Sequence, residues 1–170
     1  MSQILLKSQK TGLVEEQKMF KRILVALDGS EHADKALDFA LDLAEKYYAE
    51  IVLLSVIPSA IVPMGSYPNM SMEPFSPVII DTYLKELKSY HERVLSHALK
   101  KAKKTKPSLE VSTKLAEGRP SDRIVETVKE GNFDLIVMGS RGLGGISEFF
   151  LGSVSHRVVN HVPCPVLIVK

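Results

Sequence analysis

Five short apolar runs, each separated from the next by a stretch of helical periodicity, constrain this chain more than any other feature. The runs are Arg22 to Leu27, Glu50 to Ile57, Leu109 to Ala116, Asp134 to Met138 and Pro165 to Val169. Such alternation builds βαβ units and a parallel sheet rather than a bundle or a sandwich. Between the first two runs, Ala33, Ala36, Leu37, Ala40, Leu41 and Ala44 recur at i, i+3, i+4 and predict one apolar helix face. Leu84, Leu87, Val94, Leu95, Ala98, Leu99 and Ala102 predict a longer second helix, ending in the cluster Lys100-Lys101-Ala102-Lys103-Lys104. A short third helix begins near Pro120-Ser121, with Ser121 as its N-cap and Ile124, Val125 and Val128 facing inward. In the fourth, Val154, Val158, Val159 and Val162 form the apolar series. The expected fold is α/β: an open five-stranded parallel sheet of order 3-2-1-4-5 with helices on both faces, Rossmann-like.

Size and charge narrow the function classes. The chain has 170 residues, of which 45% are hydrophobic and 25% charged, which suits one domain with a full core. Residues 1–19 read as an N-terminal extension and 20–170 as the domain. A proline-rich insertion at 58–77 carries five of the nine prolines together with Met64, Met70 and Met72, and reads as a surface loop or a lid over the sheet edge. A net charge of +2 gives no reason to expect nucleic acid or an anionic membrane as partner, and the lysine cluster reads as a solvated helix end. The chain lacks a run of the roughly 18 apolar residues that a membrane span needs. The first twenty residues lack the apolar region of a signal peptide. One cysteine, Cys164 between Pro163 and Pro165, fits a reducing compartment and a packed rather than reactive thiol. The expected location is the cytoplasm.

The chemistry concentrates where the fourth strand meets the fourth helix. Gly139-Ser140-Arg141-Gly142 follows the strand, and Gly152-Ser153 opens the helix. Glycine lets peptide N–H groups approach a ligand closely, and the N–H groups of a first helical turn favour an anion such as phosphate. In an open parallel sheet, ligands bind beyond the carboxyl ends of the strands where strand order reverses, here between strands one and four. Strand one ends at Asp28-Gly29-Ser30. Two readings of Asp28 stand: its carboxylate accepts from ribose hydroxyls, or it caps the first helix and shapes the Asp-Gly-Ser turn. Ser153 and Ser155 offer hydroxyls, and Arg141, His156 and Arg157 add positive charge nearby. The glycines also fit a plain strand-to-helix loop, and Gly152-Ser153 an ordinary N-cap.

Neighbouring motifs fail. A P-loop starting at Gly139 has Gly145 and Ile146 where Lys and Ser/Thr belong, and a dinucleotide fingerprint starting at Gly142 meets Ser147 at its third glycine. Met138 stands where a nucleophile elbow needs glycine. His91, His156 and His161 lack metal-ligand spacing and read as solvated helix-face histidines.

The pattern resembles the nucleotide-binding branch of the universal stress protein family. The resemblance rests on G-x2-G-x9-G-[S/T], met by Gly139, Gly142, Gly152 and Ser153, and spans Lys21 to Lys170. Also similar are Arg22 to Ser30, Glu117-Gly118-Arg119-Pro120, and Pro163 to Lys170. It implies that Asp28 meets the ribose and that Ala26, Val56 and Met138 line an adenine pocket. Gly139 and Gly142 would contact the nucleotide through backbone, and Gly152, Ser153, Val154 and Ser155 would hold phosphates. It further implies ATP as ligand, with Mg²⁺ or Mn²⁺ held mainly by the phosphates, and a homodimer. An apolar last strand, Val166 to Val169, supplies a sheet edge for that pairing. The function expected is a nucleotide-dependent regulatory module in the stress response, acting on an unidentified protein partner. Without a P-loop lysine, a Walker-type acid or a base for water, the alternatives are a slow ATPase and a nucleotide-free dimerising scaffold.

Overall fold

The computed structural model describes residues 19–59, 77–144 and 151–170. The N-terminal extension and nearly all of the proline-rich insertion therefore lie outside the described residues. Element order is β1 (Arg22–Ala26), α1 (Glu31–Tyr47), β2 (Glu50–Pro58), α2 (Pro77–Thr105), β3 (Val111–Gly118), α3 (Pro120–Gly131), β4 (Leu135–Gly139), α4 (Ser153–His161) and β5 (Val166–Val169). The five strands form one sheet of order β3-β2-β1-β4-β5, every pair parallel. No helix among the described residues is long and apolar enough to cross a membrane.

Alternation along the strands feeds two cores. Ile23, Val25, Ile51, Leu53, Leu135 and Val137 face α1 and α2, where they meet Ala36, Leu37, Ala40, Leu41 and Leu95. Leu24, Val52, Leu54, Ile136 and Met138 face α3 and α4, where they meet Ile124, Val128 and Val158. Burying each such large aliphatic side chain contributes about 1.5–3 kcal/mol relative to leaving it exposed. The helix after β1 thus covers one face of the sheet and the helix after β4 the other. With β1 and β4 paired side by side, their outgoing loops part and leave a crevice at the carboxyl edge.

One helix start departs from expectation. The N-cap of α3 is Arg119, with Pro120 at the first helical position, so Ser121 lies inside the first turn and is buried. Helix α2 begins at Pro77, the last residue of the expected insertion, and proline suits a first turn whose N–H needs no partner. Strand β3 runs two residues further along than its apolar run, Val111–Gly118 rather than 109–116. It is an edge strand with Ser112, Thr113 and Lys114 exposed, so hydrophobicity alone marked it poorly. Val159 is 42% exposed, since α4 has only one buried side.

The lysine cluster is more than a solvated end. Lys101 is half-buried and pairs with Asp34 at 2.9 Å and Asp38 at 2.6 Å, and Lys106 pairs with Asp42 and Glu45, which ties α2 along α1. Cys164 is partly buried against the α3/α4 core, and burial pushes its thiol pKa up, as expected of a packing residue.

Candidate functional site

Above the β1/β4 crevice lies a cleft of about 600 Å³. All ten residues singled out from the sequence line it: Ala26, Asp28, Val56, Met138, Gly139, Gly142, Gly152, Ser153, Val154 and Ser155. They arrive from β1, β2, β4 and α4, so the sheet order itself brings them together.

Asp28 is a structural tie as well as a cleft residue. Its Oδ1 accepts the Ser30 N–H at 3.0 Å, closing the Asp-Gly-Ser turn, and its Oδ2 accepts the Leu143 N–H of the glycine loop at 3.2 Å. It does not cap α1. Ser30 does, accepting the Ala33 N–H at 3.2 Å. Gly29 has φ +87°, where a side chain is strained, and a Cβ there would run into the Tyr90 hydroxyl. That hydroxyl donates to the Asp28 carbonyl at 3.1 Å, joining α2 to the end of β1. At Gly142 a Cβ would run into Asp28 Oδ2, so only glycine lets the loop lie this close to the carboxylate.

The opposite wall is the start of α4. The Gly152 N–H donates to the Ser140 carbonyl at 2.8 Å, and the Ser155 hydroxyl lies 2.9 Å from that same oxygen. Both contacts draw the first turn of α4 against the end of β4. Ser155 is 2% exposed and its hydroxyl is also 2.9 Å from the Gly152 carbonyl, so it serves the fold rather than a ligand. What Ser155 presents is its backbone N–H. The N-cap is Gly152, which has no side chain to take up the N–H groups of the first turn. Those of Ser153, Val154 and Ser155 have no backbone acceptor among the described residues.

Charge in the cleft is sparse. Arg141 lines it, and its buried Nε has no partner among the described residues. Arg157 does not line it, being paired with Asp122 at 3.0 Å, and His156 is exposed on the outer side of α4. Among the described residues no group of three or more His, Cys, Asp or Glu side chains is placed to hold a metal.

Residues 19–170 match the universal stress protein family. The chain belongs to this family. It is 40% identical to universal stress protein YxiE of Bacillus subtilis over 152 residues, covering 89% of this chain and 100% of that one. Among solved structures, the fold matches universal stress protein UspA from Lactobacillus plantarum with a TM-score of 0.69 at 25% identity, over 88% of this chain and 97% of that one. A universal stress protein family protein from Arabidopsis thaliana with AMP bound has the same fold, at TM-score 0.61 and 23% identity, over 88% of this chain and 91% of that one.

Sequence reasoning missed the α2 side of the cleft in this family member. Leu87, Tyr90 and His91 line it. His91, expected to be solvated, is 6% exposed, and its Nδ1 is 2.8 Å from the buried Ser55 hydroxyl. The signal was present in the spacing, since positions 87, 91 and 95 are successive i+4 steps along the apolar face of α2. Burial holds the His91 imidazole below its ordinary pKa, and the Asp28 carboxylate only partly offsets this. Folding therefore loses stability on acidification. As pH falls below the ordinary value of about 6.5, the unfolded chain takes up the proton before the native one, and the loss is complete below the native pKa. Urea midpoints measured from pH 7.5 down to 5 should fall in the native chain and fall less in His91→Gln; parallel curves for the two would contradict a buried neutral imidazole.

Proposed function

We propose that this chain binds adenine nucleotide, ATP with Mg²⁺ or Mn²⁺ foremost, and acts as a nucleotide-dependent regulatory module in the cytoplasm with little or slow hydrolysis. The observation that carries the reading is one cleft with three kinds of wall in series. The uncapped first turn of α4 offers N–H donors, Asp28 offers a carboxylate, and Ala26, Leu54, Val56, Ile124 and Met138 offer an apolar surface. That is the order phosphate, ribose, base.

The residues fit the group chemically. A helix start whose backbone N–H groups have no acceptor among the described residues suits phosphate, and Arg141 adds a cation whose Nε has no partner among them either. Asp28 would exchange its contact with Leu143 for ribose hydroxyls, which couples ligand occupancy to the position of the glycine loop. We assign Mg²⁺ or Mn²⁺ to phosphate oxygens, where the ion would neutralise charge. Adenine-nucleotide binding by the Arabidopsis relative supports the base assignment.

Slow turnover follows from what lines the cleft. Its one described carboxylate, Asp28, already accepts two backbone N–H groups, and no lysine is among the described lining residues. Among the described lining residues the cations and bases are few, Arg141 and the buried His91, against the lysine, metal-holding acid and water-positioning group that efficient hydrolases combine. The regulatory output would be a change in the loop at Arg141 to Gly144, read by a protein partner.

A homodimer through β5 belongs to the same proposal. Both sheet edges are strands, but β3 is polar along its outer run, whereas Val166, Leu167 and Ile168 of β5 are apolar and only partly buried. Sedimentation velocity should find a particle of twice 18.8 kDa at micromolar concentration; a strictly monomeric species would remove the dimer from the account.

Calorimetric titration of nucleotide-stripped protein with ATP and Mg²⁺ tests the central assignment. Binding should weaken by about tenfold or more in Asp28→Ala, the effect of losing a hydrogen bond to a charged group. Absence of binding, or equal affinity in the variant, would contradict it. Steady-state phosphate release should stay near that of Ser153→Ala, and turnover far above that variant would make the chain an enzyme instead.

A further inference from the structure

Helix α1 has two flanks beside its buried face, and α2 takes up only one of them. Asp34, Asp38, Asp42 and Glu45 run along the flank that pairs with Lys101 and Lys106 of α2. On the other flank Phe39, Leu43 and Tyr47 recur at every fourth position and form an apolar row. Leu43 and Tyr47 are half-buried, but the Phe39 ring is 57% exposed. The row is some eight residues long, about 12 Å of helix.

The chain itself is delivered onto this row. Phe20, just ahead of β1, meets the Tyr47 ring edge-on, with centroids 5.3 Å apart and planes at 89°. Both Phe20 and Leu43 also touch the core beneath α1. Residues 1–18, which lie outside the described residues, therefore join the domain at one end of the row. Leu13 and Val14 stand seven and six residues before Phe20. Seven residues span up to about 23 Å, so both side chains can reach Phe39. Charge agrees with this placement. Lys46 lies with its Nζ 5.5 Å from the Tyr47 ring centroid and has no carboxylate partner among the described residues, while Glu15 and Glu16 fall between Val14 and Phe20.

We propose that the Phe39–Leu43–Tyr47 row is the docking surface for the chain's own N-terminal segment, residues 1–18, with Leu13 and Val14 against Phe39 and Leu43 and with Glu15 and Glu16 beside Lys46. Burying apolar surface on both sides drives the contact, and the ion pairs set its register. Tethering at Phe20 favours this occupant over a separate molecule, because a short linker holds the segment at an effective concentration of roughly millimolar order. The proposal uses no residue of the cleft and stands apart from the nucleotide reading.

A double-mutant cycle in the full chain tests the contact. Phe39→Ser, and Leu13→Ser together with Val14→Ser, should each lower the melting temperature by about 2–4 °C, the shift that losing one modest apolar contact produces in a domain of this size. Combining them should lower it little further, since each removes the same contact. Limited trypsin digestion gives a second readout, because docked backbone is cut only when it opens. Cleavage after Lys10 should speed up several-fold in Phe39→Ser and in Lys46→Glu, and Phe39→Leu should keep the native rate. Additive melting shifts, with cleavage after Lys10 unchanged in Phe39→Ser, would overturn the proposal. A fall in dimer population by sedimentation velocity in Phe39→Ser, again with that cleavage unchanged, would overturn it in favour of a second copy as the occupant.

Discussion

Side-by-side pairing of β1 with β4, each sealed on both faces, is the constraint on which everything else depends. Ile23 and Val25 point into one core and Leu24 into the other, and Leu135, Val137 and Ile136 do the same one strand over. Both strands therefore need helices on both sides, and the chain supplies α1 to one face and α4 to the other. Two adjacent loops leaving in opposite directions cannot cover the edge between them. The crevice is thus a consequence of core burial, and the glycines and Asp28 furnish a gap that the sheet has already made.

Within that gap, the chain controls distance mainly through backbone. Gly139 lets the end of β4 pass α1, for a Cβ there would stand 2.8 Å from His32 Cβ and 2.9 Å from the His32 carbonyl carbon. Gly142 brings the loop against the Asp28 carboxylate, and the Ser140 carbonyl holds Gly152 and Ser155. A cleft assembled from peptide groups is pre-organised at little side-chain entropy, and an anion entering it meets donors already oriented. The same economy explains the proposed function. Asp28 is engaged by two backbone N–H groups and no described lysine lines the cleft, which is consistent with the proposed binding module.

Much of this was legible in the sequence because the strong signals are periodic or local. Five apolar runs gave the strand number, and the alanine-rich face of α1 gave the first crossover. The ten expected site residues meet in one cleft because topology, rather than any single contact, places strand ends together. What stayed hidden depends on tertiary contact. His91 looked like a polar residue on a helix surface, and only Ser55 on β2 makes its burial tolerable. Ser155 looked like a ligand donor until Ser140 and Gly152 claimed its hydroxyl. Ser121 looked like a cap, while the N-cap is Arg119 and the helix starts two residues earlier, at Pro120. In each case a side chain was committed to a partner distant in sequence or to backbone geometry that no spacing rule reveals.

The central claim is that a nucleotide spans the crevice with its phosphates on the first turn of α4. An amide NMR titration of ¹⁵N-labelled protein with ATP and Mg²⁺ tests this most directly. The account predicts the largest shifts at the amides of Gly152, Ser153, Val154 and Ser155, with further shifts at Leu143, whose N–H gives up its place on Asp28, and at Gly29. Saturable shifts that cluster on the outer faces of α1 or α3 instead, with the α4 amides unmoved, would contradict it.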